Sequence, residues 1–233
     1  MININDFKDM EEHLEELGIT SKDDSSSEDD VLRIEKRYKI KIPEIYKLFL
    51  FKYGDCTIEQ EIRYRPVKPS HYTDKDGLND FGSFFGFEEG MNNIGKIIKQ
   101  YYERVPNSLI PIADDGLGNL VCIGVKDEYR GKIYFWNHED ELMAHVMLNE
   151  KEYLDISIDN YWNNIFLIAE SFLDFIKSFI IIVEDQGTNA DSKILRVDMS
   201  NDFIARMLAA RTKLEAKAKA KRERSQNSVE KDF

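Results

Sequence analysis

Phe7, Met10, Leu14 and Leu17 are apolar residues at spacings of three and four. That period predicts a first helix, with Asp6 placed to cap it and Gly18 to end it. Residues 20–30 are all polar or charged and predict a solvated loop. Ser27, with Asp30 three residues on, comes close to a capping box for a second helix over Glu28–Tyr38. Its expected buried members are Val31, Leu32, Ile34 and Tyr38. Pro43 suits a first turn. The third helix, Glu44–Tyr53, is apolar over more than half its circumference and should be central, with Gly54 as its stop.

After Gly54 the period changes from helical to alternating. Residues 57–67 carry Ile58, Ile62, Tyr64 and Val67, and Pro66 argues for an edge or a strand end. Residues 69–80 are rich in turn formers and predict an exposed loop, and 81–87 read as a strand whose glycines permit close packing or a bulge. Asn92 or Asn93 is placed to cap a helix through Tyr102, with Ile94, Ile97, Ile98 and Tyr101 on one stripe and Pro106 closing it.

The stretch 109–139 organises the rest. It predicts strands over 110–113, 120–125 and 132–138, joined first by a turn at 114–119 and then by a longer hairpin connection ending at Gly131. Asp and Asn bond their own main chain, and Gly supplies positive φ, so Asp-Asp-Gly-Leu-Gly-Asn needs no other explanation than a turn. In the third strand Ile133, Phe135 and Asn137 share one face, which reads as core. Lys132, Tyr134, Trp136 and His138 share the other, which is either covered by a helix or partly open. Beyond it, 141–152 leaves helix and strand unresolved, and 153–158 alternates like a strand. Residues 165–181 predict a helix through Ile168, Phe172, Phe175, Ile176 and Phe179, with a short strand over 180–183. The order of elements predicts an α+β fold with a mostly antiparallel sheet. One domain would cover 1–184, followed by an extension over 185–233.

At 233 residues and 42% hydrophobic content the chain can bury a substantial core. No apolar run is long enough to span a membrane, and the first residues lack a basic region followed by an apolar block, so a cytoplasmic protein is expected. Cys56 and Cys122 sit in apolar or strand-like surroundings and read as reduced thiols. Residues 206–224 hold eight Lys or Arg against two Glu. With −12 over the whole chain, that local +6 leaves −18 on the remainder. Such a body repels nucleic acid and attracts basic surfaces. Residues 194–207 are half apolar and are expected to pack on the body. Residues 209–224 form helix easily but have nothing large to bury after Leu214, which predicts an exposed helix, a disordered tail and a solubilising role.

Three blocks carry a family resemblance. Ile42-Pro43-Glu44-Ile45-Tyr46-Lys47-Leu48-Phe49-Leu50 with Tyr53-Gly54 is the first. Leu109-Ile110-Pro111-Ile112-Ala113-Asp114-Asp115, with Gly118-Asn119 and Ile133-Tyr134-Phe135-Trp136-Asn137-His138-Glu139, is the second. Ala169-Glu170-Ser171-Phe172-Leu173-Asp174-Phe175-Ile176 is the third. In this order they resemble the SUKH superfamily of fungal cell-wall-synthesis regulators and bacterial immunity proteins. The resemblance implies a non-enzymatic binder without a cofactor. It points to an immunity protein that binds and neutralises a cognate toxin, often a nuclease domain of a polymorphic or contact-dependent system. It also allows an intracellular regulatory or scaffold module.

The candidate contact residues are Asp114, Asp115, Trp136, His138 and Glu139, because interfaces favour aromatic anchors ringed by charge. Trp136 fits a core or helix-covered position better than a contact, and Tyr53 and Asp55 are secondary candidates. A metal-dependent hydrolase using the His138 and Asp114 corner is a third possibility. The residue pattern contains no phosphate loop, nucleophile elbow or Cys–His arrangement.

Overall fold

The computed structural model describes residues 4–20, 28–54, 56 and 58–182. The expectations for Ser27, for Asp55 and for everything after 182 lie outside these residues. Helix α1 spans Ile4–Glu16 and ends as expected at Gly18, whose φ of +70° lets Ile19 N–H reach back to Leu14 O at 2.9 Å. Helices α2 (Glu28–Tyr38) and α3 (Glu44–Tyr53) keep their predicted bounds. Val31 and Ile34 set the inward face of α2, and Leu32 falls outside that stripe and is 55% exposed, against expectation.

Two antiparallel sheets follow. The larger has the order β3 (Leu109–Asp114), β4 (Leu120–Gly124), β5 (Ile133–Trp136), β6 (Ile165–Ala169). The smaller places β1 (Ile62–Tyr64) between β2 (Asn79–Asp80) and β7 (Phe179–Ile181). Every residue of β4 and β5 is buried, so the centre of this sheet is covered on both faces. Helix α4 (Ile94–Tyr101), capped by Asn93 as predicted, covers the Trp136 side. The Tyr101 ring meets Trp136 edge-on at 5.6 Å, and the Arg104 guanidinium lies 5.8 Å from the same indole. Cys122 is buried in β4 and Cys56 is half-buried, and neither forms a disulfide among the described residues.

The run 165–181 is not one helix. It breaks into β6, helix α6 (Phe172–Lys177) and β7. Continuous apolar sequence cannot tell a buried strand from a buried helix. The break is at Ser171, whose hydroxyl accepts from Asp174 N–H at 3.1 Å and caps α6. The strand expected at 153–158 is absent: the segment runs from a turn through irregular chain into a short 3-10 helix at Ile158–Asn160, with Leu154 46% exposed. Residues 141–152 resolve as α5 (Leu142–Met147) and a turn. Residues 81–87 make only isolated bridges, Phe84 to Ala113 and Gly86 to Asn93. The strand drawn over 57–67 shrinks to β1, and Asn79 and Asp80 of the supposed loop pair with it.

α6 joins the layers. Phe172 meets the rings of Tyr46 and Phe49 of α3 at 5.1 and 5.0 Å, and Phe49 meets Phe84 at 4.6 Å. Phe175 meets Tyr64 of β1 at 5.2 Å.

Candidate partner-binding face

The turn between β3 and β4 builds itself from its own side chains. Asp115 Oδ1 accepts from the backbone N–H groups of Leu117 (2.8 Å) and Asn119 (3.1 Å), and its Oδ2 accepts from Asn119 Nδ2 at 2.6 Å. Gly116 and Gly118 take φ of +74° and +98°, the left-handed values this turn requires. Asn119 is buried, and its Oδ1 accepts from Asn137 Nδ2, from His138 N–H and from His138 Nδ1 at 2.8 Å. Because an amide oxygen only accepts, that contact fixes the proton on Nδ1 and makes Nε2 the acceptor of the neutral ring.

Asn137 continues the ladder inward. Its N–H donates to Asn164 O at 2.9 Å, and its carbonyl accepts from Asn164 Nδ2 at 2.7 Å. Its Oδ1 accepts from the N–H groups of Glu139 and Asp140. Three buried asparagines therefore hold 138–140 in one conformation, with His138, Glu139 and Asp140 all exposed.

Those residues border a recess of about 290 Å³ lined by Asp74, Asp80, Asp115, Glu139 and His138, with Tyr72 and Leu117 on its walls. Asp74, Asp76 and Asp80 converge on one arginine: Arg63 nitrogens lie 2.5, 2.6 and 2.7 Å from them. These carboxylates are about half exposed or more, so the cluster fixes position and sign more than it stabilises. Asp115 and Glu139 make no ion pair among the described residues.

A ledge adjoins the recess along the chain. From α5 to the turns after it, Met143, Val146, Met147, Leu148, Leu154 and Ile156 all face solvent, Met147 at 78% and Leu148 at 72%. His145 stacks on Tyr153 at 4.1 Å and bonds Glu150 at 2.7 Å, and Tyr161 ties the ledge to Asp140 O at 2.8 Å. Six large apolar side chains are thus exposed within one stretch of fourteen residues.

The five residues singled out from the sequence divide. Asp115, His138 and Glu139 share the recess. Trp136 is fully buried beneath α4, so it supports this corner from inside and presents no surface. Tyr53 is also buried. Asp114 lies on the far side of the turn, in a separate recess with Phe85, Asn92 and Lys96. There its Oδ1 accepts from Ser83 N–H and Gly116 N–H. Asp114 and His138 thus border different recesses, and among the described residues no group of three His, Cys, Asp or Glu is placed to hold a metal. Sequence reasoning missed Tyr72, Asp74 and Asp80, which lay in a stretch read only as loop; the spacing of Arg63 from them gave no cue to their convergence. The close packing expected at the glycines of 81–87 is found at Gly82, where a Cβ would collide with the Asp114 carboxylate and the Gly116 backbone.

Burial pushes the Asp114 carboxyl above its ordinary value, and the neighbouring Asp115 adds to this, outweighing the hydrogen bonds from Gly116 and Ser83. A raised value in the folded state means that stability is greatest below the unfolded value and declines as pH rises through the folded one. Asp114→Asn removes that cost and keeps an acceptor for the turn. Thermal unfolding at pH 7 should show a midpoint equal to or above wild type, and a clear drop would contradict this account of Asp114.

Among the described residues no helix is long and apolar enough to cross a membrane. The chain is similar to the SPbeta prophage-derived uncharacterized protein YokK of Bacillus subtilis (strain 168), with 30% identity over 177 residues, covering 70% of this chain and 79% of that protein. The family description SMI1 / KNR4 family (SUKH-1) matches residues 25–178. That span holds α2 to α6, both sheets up to Ser178 and the whole acidic recess, and on it the chain belongs to the SMI1 / KNR4 family, SUKH-1.

Proposed function

We propose that this chain is an immunity protein that binds a cognate toxin, of the nuclease type, and blocks it by covering its cationic face. The observation that carries this reading is the recess itself: four carboxylates, Asp74, Asp80, Asp115 and Glu139, gathered around His138. A nuclease must hold phosphates, so its working face is positive, and a negative recess is complementary to it and steers the encounter. The apolar ledge from Met143 to Ile156 supplies the groups that would lose water on docking, and the asparagine ladder fixes the recess beforehand, which lowers the ordering cost. The chain acts by occupancy and performs no chemical step.

Growth of cells expressing a candidate nuclease-type toxin domain, chosen from genes found beside this one, tests the reading. Co-expression of the full chain should restore growth. The variant Asp80→Lys/Asp115→Lys/Glu139→Lys should fail to do so, while Glu12→Lys on the exposed side of α1 should protect like wild type. Equal protection by the triple variant would remove the recess from the function.

A further inference from the structure

Charge on this molecule is segregated. The chain carries −12 overall, yet the outward stripe of α2 presents Arg33, Lys36 and Arg37, all exposed. α2 forms a ridge with a groove on each side. One groove, of about 670 Å³, lies against the β4–β5 connection and is lined by Lys36 and Lys39 on one wall and Lys126 and Arg130 on the other. The other, of about 420 Å³, lies against α4 and is lined by Arg33 and Arg37 facing Lys96 and Lys99. Lys41 also borders the first groove, but Glu35 holds it at 3.0 Å. The remaining anions are Asp127 in the first groove and Asp30, bonded to Arg33, in the second. Together the two grooves hold nine cations against three anions. Lys36, Lys39, Lys96, Lys99, Lys126 and Arg130 have no ion pair among the described residues.

Aromatic rings stand at the end of the second groove. Tyr38, which lines it, meets Tyr102 with ring centres 5.6 Å apart, and the Arg37 guanidinium is 5.5 Å from the Tyr38 ring. Tyr102 is 50% exposed.

We infer that this face binds single-stranded nucleic acid. Cations on both walls of a groove track a flexible phosphate backbone, and an exposed ring beside them offers a stacking platform for a base. A flat anionic membrane would meet the ridge and leave the groove walls unengaged. The negative charge elsewhere on the chain does not forbid this, because screening confines it to about 8 Å at physiological salt. Whole-chain charge weighs against nucleic acid only so long as it is averaged.

The probe is a fluorescently labelled 12-nucleotide oligouridylate titrated with the full-length chain. The variant Lys36→Glu/Lys96→Glu/Lys126→Glu/Arg130→Glu should bind at least about 30-fold more weakly, and Tyr102→Ala about 5-fold, the loss expected of one stacked base. With about four phosphates neutralised, affinity should fall roughly 50-fold between 50 and 200 mM salt. A second variant, Lys217→Gln/Lys219→Gln/Lys221→Gln/Arg222→Gln, separates this face from the basic segment near the end of the chain and should leave the loss caused by the groove variant in place. If the quadruple groove variant does not fold, judged by circular dichroism, Lys96→Gln/Lys99→Gln replaces it and should cost several-fold. Undiminished binding by the folded groove variants, or attachment to phosphatidylserine vesicles without binding to the oligonucleotide, would overturn the inference.

Discussion

Replacing Phe172 with alanine is expected to destabilise the fold by about 3–5 kcal/mol, the cost of emptying a large buried site. Phe172 is fully buried, and its ring touches both Tyr46 and Phe49 of α3, so one side chain fastens the short α6 to the long helix opposite. A cavity there also loosens Phe84, whose ring packs on both Phe49 and Phe172. For a domain of this size the change corresponds to a drop of roughly 10 °C in unfolding midpoint. Phe172→Leu keeps most of the volume and should lose less than half as much. Calorimetry on the three proteins checks the order, and equal midpoints for wild type and Phe172→Ala would mean that α6 does not dock as described.

Glu35→Ala should cost about 3 kcal/mol, by a different route. Glu35 is a buried carboxylate on α2 whose Oε1 accepts from Ile42 N–H at 2.9 Å. Lys41 and Lys47 each lie 3.0 Å from it. Truncation leaves the Ile42 donor without its acceptor, and Lys47, mostly covered, with only the exposed Glu44. Glu35→Gln retains the bond to Ile42 and should cost less. Burial by itself raises the pKa of Glu35, but the bonds from Lys41, Lys47 and Ile42 outweigh it and the net shift is downward. Its stabilising contribution is therefore present above the ordinary Glu value and is lost as pH falls through the lower, folded value. Urea unfolding of wild type should show stability declining with acid in that window, and Glu35→Gln should show a shallower decline. Parallel pH curves would contradict the assignment.

Local chemistry explains what could be read in advance. Helices α2 and α3 announce themselves through period and flanking residues, and Asn93 caps α4 because its side chain reaches Lys96 N–H whatever the rest of the chain does. The turn at 114–119 was legible for the same reason: Asp115 and Asn119 satisfy each other locally. The misread segments depend on distant partners. Ile165 to Ala169 is a strand because it pairs with β5, and residues 153–158 pair with no strand. The α+β class and the acidic Asp115, His138 and Glu139 corner followed from sequence, whereas the convergence of Asp74, Asp76 and Asp80 on Arg63 needed β1 and β2 to be brought together first. Trp136 illustrates the limit of alternation: it marks which face a residue lies on but not whether α4 covers that face.

Calorimetric titration of the full chain with the proposed toxin partner's isolated domain, at 50 and 200 mM salt, decides whether the acidic recess holds that partner. Binding should be tight and should weaken about tenfold or more across that range. In Asp80→Asn/Asp115→Asn/Glu139→Gln, affinity should fall by a comparable factor and much of the salt dependence should disappear. Equal affinity for wild type and variant, unchanged by salt, would show that negative charge in this recess does not hold the partner.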